Sequence, residues 1–343
     1  MTLERTELPT VRPVGILGLG HHVPDRVVTN RDLEARLDTS DEWIRTRTGI
    51  LERRQLAPDE CTSDLATRAA VRALEDAGLD AAELDLVLVA TSTPDMLMPA
   101  TACLVQDRLG ARRAGAFDLL VACAGFAYGL ACGAQFVASG TFRHVLVVGA
   151  DAMSRVVDAE DRSTAVLFGD GAGAVVLGEV EPGQGILATL LGADGSGAGH
   201  LKVPAGAARR PGGIGEIPRR DFCLQMEGQD VYRFAVQILA EAAAGVVGKA
   251  GLSLDEVDLF IPHQANIRII EAARKRLGIP PERLFVNVDR YGNTSCASIP
   301  LALSEARDQG RLRPGNLVVT VGFGGGLAWG ASALRWVAPG VRP

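Results

Sequence analysis

The chain has no stretch approaching the roughly 18 uninterrupted apolar residues that a membrane span needs. Its start, Met1-Thr2-Leu3-Glu4-Arg5-Thr6-Glu7, lacks the basic-then-apolar order of a secretory leader, so a soluble, cytosolic protein is expected. The six cysteines, Cys61, Cys103, Cys123, Cys132, Cys223 and Cys296, include no Cys-x-x-Cys pair and no zinc-like grouping with histidine. In a reducing compartment most of these thiols should be free and buried. A basic surplus is also missing. The net charge of −6 argues against nucleic acid as the main partner, although it leaves room for local basic clusters. Gly169-Asp170-Gly171-Ala172-Gly173 lacks the Lys-Ser/Thr ending of a phosphate loop and reads as close backbone packing before a strand. No low-complexity tract or interdomain linker is evident.

What is present is a large apolar share, 47%, beside an ordinary 22% of charged residues, which describes a globular chain with a sizeable core. It is also written twice. Ala77-Gly78-Leu79 returns as Ala250-Gly251-Leu252, a shift of 173 residues. The same shift carries the Cys123 segment onto the Cys296 segment, and Val145-Leu146-Val147-Val148-Gly149 onto Val318-Val319-Thr320-Val321-Gly322. One offset held across three segments implies two similar half-domains rather than a short-period solenoid.

In the first copy, strands are expected at Val14 to Gly18, in the centre of a sheet, and at Leu86 to Ala90, Phe117 to Ala122, Val145 to Gly149 and Gly173 to Leu177. Helices are expected at Thr62 to Ala77, with Ser63 or Asp64 capping its start, and at Gly125 to Ala138. The second copy repeats this order. Its strands are Ile186 to Leu191, Leu259 to Pro262, Phe285 to Val288, Leu317 to Val321 and Ala331 to Val337. Its helices are Val231 to Ala250, Asn266 to Leu277 and one after Ser298. Alternating strands and helices in two halves predict a layered α/β/α/β/α sandwich. Two polar excursions, Asp25 to Glu60 and Ala205 to Arg220, stand outside the repeat.

Four features carry chemistry. Cys123 follows an apolar strand and opens a helix, where the helix field favours the thiolate, though a lone cysteine is more often a small core residue. His263 ends a strand, where an imidazole can donate to an oxygen or accept a proton, and a solvated loop histidine is the plain alternative. Asn293, in Tyr291-Gly292-Asn293-Thr294-Ser295, carries an amide that can donate to a developing negative charge, or simply makes a turn. Phe323-Gly324-Gly325-Gly326 exposes backbone N–H groups that could form an oxyanion hole or a tight turn. Strand ends converge where two such halves pack, so a thiol from one half could meet an imidazole and an amide from the other.

Together these segments resemble the β-ketoacyl-acyl-carrier-protein synthase III family of bacterial type II fatty-acid synthesis, in the thiolase-like superfamily, from about Val14 to Trp336. The resemblance rests on Asp41-Glu42-Trp43-Ile44, Arg45-Thr46-Arg47-Thr48-Gly49-Ile50, Ala122-Cys123-Ala124-Gly125-Phe126 and Phe168-Gly169-Asp170-Gly171-Ala172-Gly173. It rests equally on Pro262-His263-Gln264-Ala265-Asn266, Gly292-Asn293-Thr294-Ser295 and Phe323-Gly324-Gly325-Gly326. It implies a thiolase-like five-layered sandwich of two duplicated halves, residues 1–180 with the nucleophile and residues 181–343 with the histidine and asparagine. It also implies a Cys123, His263 and Asn293 triad and an oxyanion hole from the N–H groups of Cys123 and Gly325. Substrate contacts would come from Trp43, Arg47, Arg162, Met98, Phe323, Gly228 and Asn266. Arg233, Arg268, Lys275 and Arg276 would dock an acidic carrier protein; without the resemblance they would be an ordinary solvated face. The implied substrates are acyl-CoA and malonyl-acyl carrier protein, with no metal or redox cofactor, in a homodimer. Met98 stands where some members carry phenylalanine at a dimer-contributed wall of the acyl pocket, so the primer is left open.

The nearest rival is a starter-unit condensing or acyl-transfer enzyme of polyketide metabolism. A papain-like hydrolase would also order Cys, His and Asn this way but implies a disulfide-bearing secreted chain. A non-enzymatic acyl-binding module would be expected to lose a triad residue, and thiolase proper would carry a second catalytic cysteine near the last glycine-rich turn.

Overall fold

A computed structural model describes residues 11–212 and 217–338, and two main sheets dominate them. The first contains β1 (Val14–His22), β2 (Leu86–Ala90), β3 (Gly115–Leu119), β4 (Val145–Ala152) and β5 (Asp170–Glu179), in the order β1-β5-β4-β2-β3. Strand β2 runs parallel to β3 and β4, while β5 is antiparallel to β1 and β4. The second contains β6 (Gly185–Ala193), β7 (Leu259–Pro262), β8 (Leu317–Gly324) and β9 (Ala328–Arg335), in the order β7-β8-β9-β6. Only β7 and β8 are parallel. Strands β6, β9, β8 and β7 therefore repeat β1, β5, β4 and β2.

The fifth strand of the second copy does not form. Where Phe285 to Val288 was expected to extend, one parallel bridge joins Leu284 to Phe260, and Val288–Tyr291 makes a helical turn. The Gln264 side chain takes over the ladder's role, donating to the Phe285 carbonyl at 3.3 Å and accepting the Asn287 N–H at 3.0 Å. Strand β1 also departs from expectation, lying at a sheet edge rather than the centre. Its burial comes from a helix across its face and from β6 beside it, where the Gly185 backbone presses on the Val14 carbonyl so closely that no side chain would fit.

Seven helices of eight residues or more occur among the described residues: α1 (Asp41–Thr48), α2 (Thr62–Ala77), α3 (Thr101–Leu109), α4 (Gly125–Ala138), α5 (Gly228–Lys249), α6 (Ile267–Leu277) and α7 (Ser298–Asp308). Helices α2 and α3 cover the outside of the first sheet, α4 and α7 fill the space between the sheets, and α5 and α6 cover the second. This is the expected five-layered sandwich. Helix α2 buries Leu65, Ala66, Ala69, Ala70, Ala73 and Ala77 on one stripe, small enough for its backbone to approach β1 closely. Its start is satisfied by Asp64, whose carboxylate accepts the Cys61 N–H at 2.8 Å, whereas Ser63 does not cap.

The central helices are apolar nearly all round because each meets protein on both sides. Every residue of α7 from Ser298 to Ala306 is buried. In α4, a Cβ at Gly133 would stand 2.9 Å from both Leu177 and Val147, so only glycine lets the helix lie on β4 and β5. Burial of Phe126, Leu130, Ile299 and Leu303 contributes about 1.5–3 kcal/mol each. Helix α5 is long and apolar enough to cross a membrane by length and composition, but half of that stretch is buried against the second sheet.

Candidate active site

The two copies bend the chain in the same way after β3 and after the place where its counterpart does not form. Cys123 occupies the 3-10 turn Ala122–Ala124 before α4, and Cys296 the 3-10 turn Ser295–Ala297 before α7. Ala122 (φ +42°) and Ser295 (φ +50°) are the non-glycine residues with positive φ among those described. They are 173 residues apart in sequence. A left-handed residue with a side chain costs roughly 1–2 kcal/mol, so both turns are held by their surroundings. Each is seated against a glycine of the other half. A Cβ at Gly149 would collide with the Cys296 carbonyl, and one at Gly322 would reach 3.4 Å from the Cys123 carbonyl. The Cys296 thiol also donates to the Ala122 carbonyl at 2.9 Å.

The copies differ at the backbone N–H of the cysteine. Fully buried Asp151 accepts the Cys296 N–H at 3.0 Å, and its other oxygen takes donors from Thr91, Ser92 and Thr93. The residue 173 positions later is Gly324, where a Cβ would lie only 2.6 Å from the Cys123 nitrogen. One N–H is thus plugged by a carboxylate, and the other has a glycine where that carboxylate would be.

Cys123, His263, Asn293 and Phe323 line one chamber of about 110 Å³, so the structure brings together the thiol of the first half with the imidazole and amide of the second. Nδ1 of His263 lies 2.5 Å from the Ser298 hydroxyl, which leaves Nε2 for the chamber, and its ring packs edge-on against Phe323 with centroids 5.2 Å apart. Asn293 is gripped at both backbone ends, donating to the Leu167 carbonyl at 2.8 Å and accepting the Gly169 N–H at 3.0 Å. Its Oδ1 accepts the Ser295 N–H at 2.9 Å, which turns its amide NH₂ outward as a donor.

Burial sets the charge states. It pushes the His263 pKa down to about 3, so the imidazole is neutral at pH 7. It pushes the Cys123 thiol up to about 12, with the Ser295 hydroxyl and the Cys123 N–H pulling the other way. Desolvation thus opposes the thiolate that the helix field was expected to favour, and pulls Cys123 towards the thiol. Neutral donors facing a carbonyl-sized cavity suit a reaction whose charge appears only in flight.

A larger cleft of about 880 Å³ adjoins the chamber and shares Leu167, Met226, Gly228, Tyr232 and Asn266 with it. Trp43, Arg47, Arg162, Arg233 and Arg268 line this outer cleft. The Arg162 guanidinium sits 4.9 Å from the Trp43 ring and that of Arg47 6.0 Å from it, a cationic stack at the cleft wall. Arg268 lies over Tyr232, and Arg233 pairs with Asp230. Lys275 and Arg276 are further along α6, Arg276 facing Glu241 of α5 at 3.6 Å. Met98 is 81% exposed and lines neither cavity of its own chain. Gly325 follows β8, and a Cβ there would stand 3.0 Å from the Leu201 carbonyl. The sequence reading missed Asp151, Ser295 and Ser298. The 173-residue shift could have found two of them, since it pairs Asp151 with Gly324 and Ser298 with Gly125.

The family model for 3-oxoacyl-[acyl-carrier-protein] synthase III matches residues 117–195, and that for its C-terminal part matches residues 247–336. A β-ketoacyl-[acyl-carrier-protein] synthase III of Symbiobacterium thermophilum is 55% identical over 95% of this chain and 99% of its own. The chain belongs to this family. The crystal structure of the synthase III from Thermus thermophilus is 52% identical, covers 94% of this chain and 99% of its own, and superimposes with a TM-score of 0.89. The priming β-ketosynthase of the R1128 polyketide pathway, 40% identical over 97% of this chain and 99% of its own, superimposes with a TM-score of 0.90. Members of this synthase family are acyl-transferring condensing enzymes, and the thiolase-like fold is common to all of these structures.

Proposed function

We propose that Cys123, His263 and Asn293 carry the decarboxylative condensation of an acyl-CoA primer with malonyl-acyl carrier protein, the initiating step of fatty-acid synthesis that gives this family its name. The observation that carries this reading is one chamber in which a thiol faces two neutral hydrogen-bond donors. Cys123 attacks the primer thioester, the carbon–sulfur bond to coenzyme A breaks, and the thiol proton leaves with the coenzyme A sulfur. The tetrahedral oxyanion formed on attack, before that bond breaks, is held by the N–H groups of Cys123 and Gly325, with Gly324 keeping the approach clear. Malonyl-carrier protein then enters. His263 and Asn293 donate to its thioester oxygen while the carboxylate carbon–carbon bond breaks, carbon dioxide departs and its electron pair forms the enolate. The enolate carbon attacks acyl-Cys123, the carbon–sulfur bond to Cys123 breaks, the 3-ketoacyl-carrier protein leaves, and the released thiolate takes a proton from solvent to return to the thiol. Phe323 walls this space beside His263.

The outer cleft fits the nucleotide end of coenzyme A. Adenine enters between Trp43 and Arg162, replacing the stack that now joins them, with Arg47, Gly228 and Asn266 along the path. Arg233 and Arg268 at the mouth, continued by Lys275 and Arg276 on α6, form a basic face for an acidic carrier. The triad asks for no metal or redox cofactor. Residues 1–180 and 181–343 act as two halves of one cytoplasmic enzyme. A second copy covers the apolar face of exposed Met96, Leu97, Met98, Phe117 and Leu120 beside the open edge of β3, which brings Met98 to the partner's acyl pocket. The polyketide starter role is the second reading, favoured only by the resemblance to the R1128 enzyme.

Intact-protein mass spectrometry after exposure to a panel of acyl-CoA primers tests this directly. Wild-type protein should gain one acyl mass and Cys123→Ala none. Absence of any adduct that depends on Cys123 would end the proposal.

A further inference from the structure

The duplication that made Cys123 and Cys296 equivalent also makes His263 equivalent to Ala90, and Ser298 equivalent to Gly125. The pairs occupy matching places. Ala90 ends β2 as His263 follows β7, and Gly125 opens α4 as Ser298 opens α7. In the first copy a Cβ on Gly125 would stand 3.0 Å from the Ala90 Cβ; in the second, the Ser298 hydroxyl stands 2.5 Å from His263 Nδ1. Where the imidazole is absent, the hydroxyl is absent too. A serine needed only to start a central helix would be needed in both copies, so its presence in one follows the histidine.

Its hydrogen bonds say what it does. Ser298 Oγ accepts the Gln264 N–H at 3.3 Å and has one other partner among the described residues, His263 Nδ1. The hydroxyl proton has no destination besides that ring nitrogen, so Nδ1 is an acceptor and the ring proton resides on Nε2. We propose that Ser298 is a positioning residue that fixes His263 in its Nε2–H form, so that the imidazole presents a donor, and no lone pair, to the chamber. This inference rests on the proposed roles of His263 and Asn293 and deepens them. It makes His263 a donor to the malonyl thioester oxygen from the outset. It also removes His263 as the base for the Cys123 thiol, whose proton leaves with coenzyme A.

The test separates the two half-reactions in the full-length protein. Acylation of Cys123 from acyl-CoA is followed by intact mass, and decarboxylation of malonyl-carrier protein by release of labelled carbon dioxide. Ser298→Ala should acylate within about threefold of wild type and lose about 10–100-fold in decarboxylation, the range for groups that orient a functional side chain. Ser298→Thr, which keeps the hydroxyl, should recover most of it. Nitrogen NMR of histidine-labelled protein should show one neutral Nε2–H tautomer for His263 in wild type and a mixture in Ser298→Ala. Equal loss of both half-reactions would mark a merely structural serine, and unchanged decarboxylation or a proton on Nδ1 in wild type would equally overturn the inference. If wild-type Cys123 takes no acyl group at all, the parent reading fails instead.

Discussion

Cys123 and Cys296 share a turn, a strained residue before the sulfur and a helix after it, yet only one is arranged to react. The difference lies in three substitutions at equivalent positions. Asp151 blocks the N–H of Cys296 where Gly324 leaves that of Cys123 open. Ala90 and Gly125 stand where the other copy has His263 and Ser298. On the roles proposed above, the nucleophile elbow is a scaffold property, and catalysis is what the opposite half supplies. The inert copy shows what the elbow becomes when its N–H serves the fold instead of an oxyanion.

The sharpest way to break this comparison is to remove each thiol in turn. Cys123→Ala should abolish acylation, whereas Cys296→Ala should retain activity within about tenfold, losing the thiol's contacts with the Ala122 carbonyl, Asp151 and Ser295, as read by intact mass and turnover. Next in size is Gly324→Ala, which places a methyl against the Cys123 nitrogen. Acylation should fall about 10²–10³-fold, the usual loss for one oxyanion donor, with circular dichroism unchanged.

Asp151→Ala attacks the inert elbow. It strands buried donors from Thr91, Ser92, Thr93 and Cys296 and should destabilise the protein by about 3 kcal/mol in urea unfolding. The smallest effect, read over the first pH unit below 6.5, concerns His263 against its counterpart Ala90. Its folded pKa, about 3, lies below the ordinary 6.5, so only the unfolded chain takes up a proton between those values. The stability that the neutral imidazole contributes is complete above pH 6.5 and is lost as pH falls towards 3. The stability difference between wild type and His263→Gln should shrink by at most about 1.4 kcal/mol per pH unit below 6.5, and by nothing between pH 7 and 8.

Much of this was legible in the sequence because the signals were local or repeated. The fixed offset exposed the two halves, and strands such as Leu86–Ala90 and Leu259–Pro262 fall where apolar runs placed them. The departures came from tertiary context. Residues Phe285 to Val288 have the apolar character of a strand, but a side chain 21 residues away, Gln264, occupies its hydrogen bonds. The raised pKa of the Cys123 thiol comes from its burial in the assembled fold, which no window of sequence reports. Ser298 and Asp151 escaped notice because neither is conspicuous alone; each acquires meaning only beside its counterpart, Gly125 or Gly324.

That unformed fifth strand bears on assembly. The two sheets have four outer edges among the described strands. Those of β1 and β6 abut one another, and that of β7 is closed by Leu284 and the Gln264 amide. Only β3 remains unmatched, flanked by exposed Phe117 and Leu120. In the dimer proposed above, this border of the two main sheets is the one that a twin would cover across a twofold axis.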